Sequence, residues 1–500
     1  MAWIDFLEKM KEECPTKTAL IEQKTQRSLS YNDLWSEVNA WATFLDARGV
    51  KKGDRVAFLK TNCLEHITLF LGCAKLGAIF VPLNFRLAPE EMSEIVERIA
   101  PKLLIGEGSC HLSIERRGSY VELKDIELER SRTEFLTVET TLEDPLLMLF
   151  TSGTTGTPKG VLFHGGMLAE NQKQTCLNWG LLASDKTLIE TPFFHTGGYN
   201  VLCLPLMSIG ATSIIAEKFD LENVYQTIES EKLSVYFAVP TMFQMISEDK
   251  KFKKTSFDHI RFFISGGAYC AQELIESYQE KGLMFKQGFG LTEVGPNCFL
   301  LNESDAIRKL GSIGKPMPHS EVMVIKEDGS EALAGEVGEL LIRGPHICKG
   351  YYNQPERFRD SLFDGYFKTG DLARFDEEGF YFIVGRKKDM YISGGENVYP
   401  AEVEKRIVTH PSILEAAVVA VDCEKWGEVG FAFLRSEKDI SVEELREYLN
   451  PLLSRYKHPH FVMNKKTFPC LDSGKIDRKQ LLALAKGELL SDFEKKGQRS

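Results

Sequence analysis

The sequence predicts an α/β protein in two parts. A large N-terminal domain carries parallel and mixed sheets covered by helices, plus a small β-barrel-like subdomain. A small, mobile α+β C-terminal domain follows. Three observations predict this. Short apolar strands alternate with helical stretches up to about residue 310. Beyond that point the text turns to hairpins with Gly and Asp-Gly turns. The charged stretch "GRKKD", 385–389, then precedes a short segment of mixed helices and strands. A chain of 500 residues also exceeds the roughly 250–300 at which a single core stops growing. The expected domains are 1–387 and 388–500, with the boundary read near residues 386–390.

The elements follow in order. "SYNDLWSEVNAWATFLDARG" reads as a helix: Ser30 and Asp33 make an S-x-x-D start, Leu34, Val38, Trp41 and Leu45 share a face, and Gly49 ends it. "DRVAFLK" reads as a strand, "EHITLFLGCAKLG" as a helix, and "AIFVPLN" as a strand buried on both faces. "PLLMLF", "SIIAE", "VYFAVP" and "FFISGG" continue the series. "EVMVIKEDGS", "GEVGELLIRG" and "GFYFIVGRKKDMYI" supply the hairpins. In the last part, "PAEVEKRIV" opens a helix with Pro in its first turn. "SVEELREYL" opens another with a capping box from Ser441 to Glu444. No internal repeat is visible.

Hydrophobic residues make up 43 % and charged residues 27 %, ordinary values for a globular enzyme. The 61 basic against 72 acidic residues leave a net charge of −11, which argues against nucleic acid as a partner. Eleven cysteines include no C-x-x-C pair, and "MAWIDFLEKMKEE" is too acidic for a secretion signal. Reduced thiols in the cytoplasm are expected. The longest apolar runs fall short of the roughly 20 residues a bilayer span needs. Oligomeric state and peripheral membrane contact stay open.

"TSGTTGTPKG", 151–160, carries the first chemistry. It is not a Walker loop, since Pro158 stands at the second glycine of G-x-x-x-x-G-K-[ST] and Gly160 at the Ser/Thr. A Gly/Thr linker would explain the glycines, but not the buried strand "LLMLF" that feeds them. A strand, a glycine-rich turn, hydroxyls and a lysine together suit phosphate oxygens.

Read with others in the same order, this loop resembles the adenylate-forming superfamily of acyl-CoA synthetases, luciferases and peptide-synthetase adenylation domains. The other segments are "AKLGAIFVPLN" (74–84), "FFHTGG" (193–198), "QGFGLTE" (287–293), "FKTGDLA" (367–373), "GRKKDMYISGGENVYPAEVE" (385–404) and "SGKIDR" (473–478). Within that superfamily the chain looks most like the fatty-acyl-CoA ligases. The resemblance implies ATP, Mg²⁺ and CoA. A carboxylate attacks the α-phosphate of ATP to give an acyl-adenylate and pyrophosphate, and CoA then displaces AMP.

The roles below are what the resemblance implies. Thr151, Ser152, Gly153, Thr154, Thr155, Gly156 and Lys159 take the β- and γ-phosphates. Gly267, Ala268, Gln287, Gly288, Phe289 and Gly290 line the nucleotide, with Phe289 stacking on adenine. The family often has Tyr there, so a hydroxyl contact is missing. Thr292 touches the α-phosphate and Glu293 holds Mg²⁺, a hard cation content with one carboxylate and waters. Asp371 accepts both ribose hydroxyls, one per carboxylate oxygen, and Arg386 adds a contact to ribose or phosphate. Lys475 bridges the acid and the α-phosphate in the first step. Its loop departs from the family pattern, having Pro469, Cys470 and Leu471 where Thr is usual two residues after the proline. His195 lies beside the acyl carboxylate, where amino-acid-activating relatives carry Asp. Gly394, Gly395 and Glu396 line the CoA tunnel once the C-terminal domain turns about Lys388, and "EKWGE" (424–428) is a nearby family feature.

Taken singly, these residues have plainer readings: Lys159 and Lys388 as solvated surface charges, Asp371 as a turn aspartate, His195 as a satisfied core histidine. The candidate pocket segments "HTGGYN", "VPTMFQM" and "SGGAYC" are apolar or small and hold no Arg or Lys. A medium- to long-chain fatty acid is therefore expected, with an aryl or other carboxylate next. A carrier-protein-loading adenylating enzyme or a luciferase-like monooxygenase is a further alternative, disfavoured because no carrier domain is read after the adenylating unit and "KKGQRS" is not a Ser-Lys-Leu ending. A nucleotide-binding regulator without chemistry is disfavoured by Lys475, Glu293 and Asp371 occurring together.

Overall fold

The computed structural model describes residues 2–87, 89–107, 120–128, 135–151, 158–268, 270–393, 396–423, 425–471 and 474–497. The capping box read at Ser30 is formed: its hydroxyl accepts from the Asp33 amide, and the Asp33 carboxylate accepts from the Ser30 amide. The helix runs Tyr31–Ala47 and buries Leu34, Val38, Trp41 and Leu45. Only half of the second box forms. Ser441 accepts from the Glu444 amide, but the Glu444 carboxylate turns outward to Lys438 at 2.8 Å. A salt bridge at an exposed helix start competes there with the backbone.

The chain forms two units, Met1–Val322 with Ile342–Phe367, and Met323–Leu341 with Lys368–Ser500. In the first unit a seven-stranded sheet has the order Gly350–Tyr351, Lys159–His164, Pro145–Thr151, Ile79–Pro82, Arg55–Leu59, Leu103–Gly106, Tyr120–Glu122. Pairing is parallel from Pro145–Thr151 to Tyr120–Glu122 and antiparallel on the other side. The run "LLML" is buried throughout, which is why it reads as uninterrupted apolar sequence. A second, parallel sheet joins Val235–Ala238, Phe262–Ser265 and Phe285–Gln287. Beneath it Phe243, Phe263, Tyr278 and Phe285 meet mostly edge to face. Each such pair contributes about 0.5–1.5 kcal/mol beyond its burial, so the ends of these strands are firmly held.

In the second unit the Asp-Gly hairpin is closed by Lys326 N donating to Ser330 O (2.9 Å). Tyr366–Phe375 pairs antiparallel with Tyr381–Arg386, placing Asp371 opposite Arg386. The long hairpin Ile413–Cys423 with Gly427–Ser436 forms the backbone of the small sheet, and Phe461–Asn464 adds in parallel. Pro400 starts the helix Pro400–Ile407 as read. No described helix is long and apolar enough to cross a membrane, and the described cysteines are all free.

Candidate active site

The candidate site residues fall in separate groups within the two units. In the first unit Thr151 ends its strand and pairs with Lys159. Among the described residues the buried Thr151 Oγ1 has no hydrogen-bond partner, which suits a contact to an oxygen ligand. Ser152, Gly153, Thr154, Thr155 and Gly156 lie outside the described residues. Lys159 Nζ donates to Tyr351 Oη at 3.2 Å and stands 4.5 Å from the centroid of that ring. Tyr351 Oη donates in turn to Glu293 Oε1 at 3.0 Å.

Thr292 and Glu293 occupy a tight turn closed by a bridge between Leu291 and Gly295, with Leu291 N donating to Gly295 O at 3.1 Å. Gly295 takes φ +78°, a conformation that favours glycine. Gly290 is required for a second reason: a Cβ there would lie 2.3 Å from Gly295 O and from the Pro296 carbonyl. The glycines of "QGFGLTEVG" thus fold the segment back on itself and present Glu293.

The register Ser265↔Gln287 brings the carboxyl ends of two neighbouring parallel strands together, the usual ligand-binding edge of such sheets. Gly267 and Ala268 follow one strand and are exposed. Gln287 ends the other, buried, with its Oε1 unpartnered. Gly288 N donates to Ser265 O at 2.7 Å, locking the two ends. Phe289 packs edge-on against Phe299 at 5.6 Å.

His195 belongs to a third cluster. Its backbone turns with His195 N donating to Pro192 O, just before the π-helical turn Gly197–Val201, a feature frequent at functional sites. Its ring lies 4.6 Å from that of Phe194. Phe194 meets Phe85 edge-on at 5.5 Å, and the Arg86 guanidinium lies 5.9 Å from the Phe194 ring. The candidate pocket segments hold no Arg or Lys, but from another loop Arg86 reaches the Phe194 ring, next in sequence to His195.

In the second unit Asp371 is 4 % exposed. Its Oδ1 meets Arg386 Nε at 2.6 Å, while Oδ2 is buried and unpartnered. Burial pushes the Asp371 carboxyl up to about 6, against the pull of Arg386 and Lys475. A buried carboxylate with one idle oxygen is costly and fits a ligand bringing hydroxyl donors. Lys475 lies on a loop closed by Leu471 N donating to Lys475 O at 2.7 Å and by a bridge between Cys470 and Ile476. Its side chain keeps solvent access. The crowding chain and the Arg386 charge lower its pKa, and Asp371 opposes them. Arg478 anchors this loop: it donates to Val418 O at 2.7 Å and to Glu404 Oε2 at 2.8 Å. Lys388 is exposed on a turn in which Asp389 and Met390 amides both donate to Arg386 O. Glu396 is exposed in the strand Glu396–Val398, while Gly394 and Gly395 lie outside the described residues.

The structure therefore joins Thr151, Lys159 and Glu293 in one group, and Asp371, Arg386, Lys388 and Lys475 in another. Sequence reasoning missed Tyr351, Arg86 and Arg478. Arg478 alone had a signal, closing "SGKIDR"; Tyr351 lies 192 residues from Lys159 with no local pattern to mark it.

Comparison with known proteins shows the family. The profile of the family described as "AMP-binding enzyme" matches residues 7–352, and that of "AMP-binding enzyme C-terminal domain" matches 402–475. The chain is 34 % identical over 453 residues to a feruloyl-CoA synthase of Amycolatopsis sp, covering 90 % of this chain and 92 % of that one. It is 35 % identical over 475 residues to a long-chain-fatty-acid–CoA ligase of Mycobacterium tuberculosis, covering 92 % and 94 %. Its fold superposes on ATP-bound MatB from Rhodopseudomonas palustris with a TM-score of 0.88 at 26 % identity, over 96 % and 98 % of the two chains. The chain belongs to the AMP-binding enzyme family, and within that adenylate-forming superfamily it is an AMP-forming acyl-CoA synthetase that works with ATP, Mg²⁺ and CoA.

Proposed function

We propose that the chain activates a hydrophobic monocarboxylic acid, a medium- to long-chain fatty acid first and an aryl acid second, and transfers it to CoA. The observation that carries the nucleotide half is Asp371, with one oxygen on Arg386 and the other buried and idle. A ribose hydroxyl supplies the donor that the idle oxygen lacks, and the second hydroxyl of the diol can share the oxygen held by Arg386.

In the first step the acid's oxygen forms a bond to the α-phosphorus, and the bond to pyrophosphate breaks. Both reactants are anionic, so oriented positive charge lowers the barrier. Lys475 holds the acid and the α-phosphate oxygens together; an approaching phosphate favours its charged form and offsets the surroundings that lower its pKa. Thr151 and Lys159 orient the outer phosphates, and Thr292 contacts the α-phosphate. Glu293 offers a single hard oxygen donor, a set that suits Mg²⁺ beside phosphate oxygens and water. When bound, that ion supplies further positive charge against the leaving pyrophosphate. Phe289 stacks on the base, between the strand ends at Gly267–Ala268 and Gln287–Gly288, and Gly290 folds the loop beneath it. In the second step the CoA sulfur bonds to the acyl carbon and AMP departs. Gly394, Gly395 and Glu396 line the thiol's path after the C-terminal segment turns at Lys388.

Phe194, Phe85 and the small residues around His195 support an apolar acyl chain or ring. Arg86 favours a second reading, acids with a distal anionic group, because its guanidinium stands on the Phe194 ring. The test is pyrophosphate release with CoA across acids from acetate to palmitate, with benzoates and succinylbenzoate. The first reading expects the highest kcat/KM with octanoate to palmitate. A maximum on succinylbenzoate that falls at least tenfold in Arg86→Ala establishes the second reading. Release with no acid of the panel refutes both.

A further inference from the structure

Tyr351 stands between the two charges of the first unit. Its short strand pairs with Lys159–His164, placing Tyr351 opposite Val161, and just before it Cys348 N donates to Glu293 O at 2.8 Å. The ring is 4 % exposed and is held edge-on by Phe358 at 5.4 Å. The hydroxyl accepts from Lys159 at 3.2 Å and donates to Glu293 at 3.0 Å.

An ammonium and a carboxylate this close attract strongly in a partly buried setting. In direct contact each would satisfy the other, leaving less charge for a phosphate and less for a cation. We propose that Tyr351 is a positioning residue that keeps Lys159 and Glu293 one hydroxyl apart. The ring face steadies the lysine, while the single hydroxyl fills the gap and is spent on both partners at once. The inference rests on the proposed assignment of Lys159 to phosphate and Glu293 to Mg²⁺.

Phenylalanine at 351 keeps the ring and deletes only the oxygen. Lys159 is then expected to close on Glu293. ATP binding without an acid substrate, measured by calorimetry over a Mg²⁺ series, reads this directly. In Tyr351→Phe the Mg²⁺ midpoint should rise fivefold or more, and Mg²⁺-free ATP affinity should fall at least threefold. Adding Glu293→Gln removes the competing carboxylate, so the double variant should regain the Mg²⁺-free affinity of Glu293→Gln alone. That recovery is not expected from a merely structural residue. A wild-type Mg²⁺ midpoint in Tyr351→Phe, with Glu293→Gln displaced, overturns the spacer and leaves the metal assignment standing. A wild-type midpoint in Glu293→Gln removes that assignment and the spacer with it. Failure of the double variant to recover also overturns the spacer. So does loss of the fold in Tyr351→Phe on thermal melting, since the hydroxyl would then support the structure rather than separate two charges.

Discussion

Asp371 shows, at the scale of one residue, what burial costs a carboxylate. Its folded pKa of about 6 lies above the ordinary value of about 3.9. The proton is therefore held more tightly in the fold. The group's contribution to stability is fully present below pH 4 or so and is lost as pH rises through about 6. Ligand binding runs the other way, because only the ionised form accepts two hydroxyls. Adenosine, which has no phosphate to titrate, should bind about tenfold tighter at pH 7 than at pH 5. Asp371→Asn should bind weakly and flatten that profile; calorimetry at both pH values checks it, and an unchanged slope in the variant assigns the titration elsewhere. Lys475→Ala should slow adenylation by about 10²–10³, roughly 3–4 kcal/mol, and spare thioester formation from supplied acyl-adenylate. Equal losses in both half-reactions would point to misfolding. Asp371 and Lys475 could be named as candidates from sequence because each lies in a short motif, "FKTGDLA" or "SGKIDR", that resembles the superfamily's. Tyr351 and Arg86 were not, since their roles arise only when distant strands and loops meet.

At the scale of elements, local chemistry was the legible part. The Ser30–Asp33 box concerns four neighbours in sequence, so the pattern and the structure coincide. The long hairpin Ile413–Ser436 escaped notice because "EKWGE" lacks an Asn-Gly or Asp-Gly turn and both strands are almost wholly apolar. The turn Leu291–Gly295 was also hidden, as a Thr-Glu pair reads more readily as a helix start. Its shape depends on Gly290 meeting Gly295 and Pro296. Gly290→Ala should displace the turn at a cost on the order of 1–3 kcal/mol, as overpacking does, and carry Glu293 with it. Thermal melting should show the loss, and ATP binding should need more Mg²⁺. Melting and Mg²⁺ dependence both equal to wild type would show that the turn yields without moving the carboxylate.

For the whole molecule, the alternation of strands and helices was enough to announce an α/β fold, and the ordered motifs its superfamily. Where the chain turns between half-reactions is a matter of a few backbone angles, and Lys388 is the proposed place. The amides that close its turn belong to Asp389 and Met390, so proline at 388 leaves those two donors in place. It fixes its own φ near −65° and restricts Lys387 before it. Lys388→Pro is expected to keep acid-dependent pyrophosphate exchange and to lose acyl-CoA formation, both followed in one preparation. Wild-type rates of both would place the rotation elsewhere.

Arg386 joins these scales. Its guanidinium grips the carboxylate proposed to read the ribose, and its carbonyl receives the two amides that shape the turn around Lys388. The same residue is thus both a sensor's fingertip and a clutch plate. If Asp371 reads the ribose and the chain turns at Lys388, as proposed, a nucleotide that tightens or releases Asp371 tugs on the backbone of the hinge itself. Timing in such an enzyme need not be signalled across the molecule, because the message and the moving part share one amino acid.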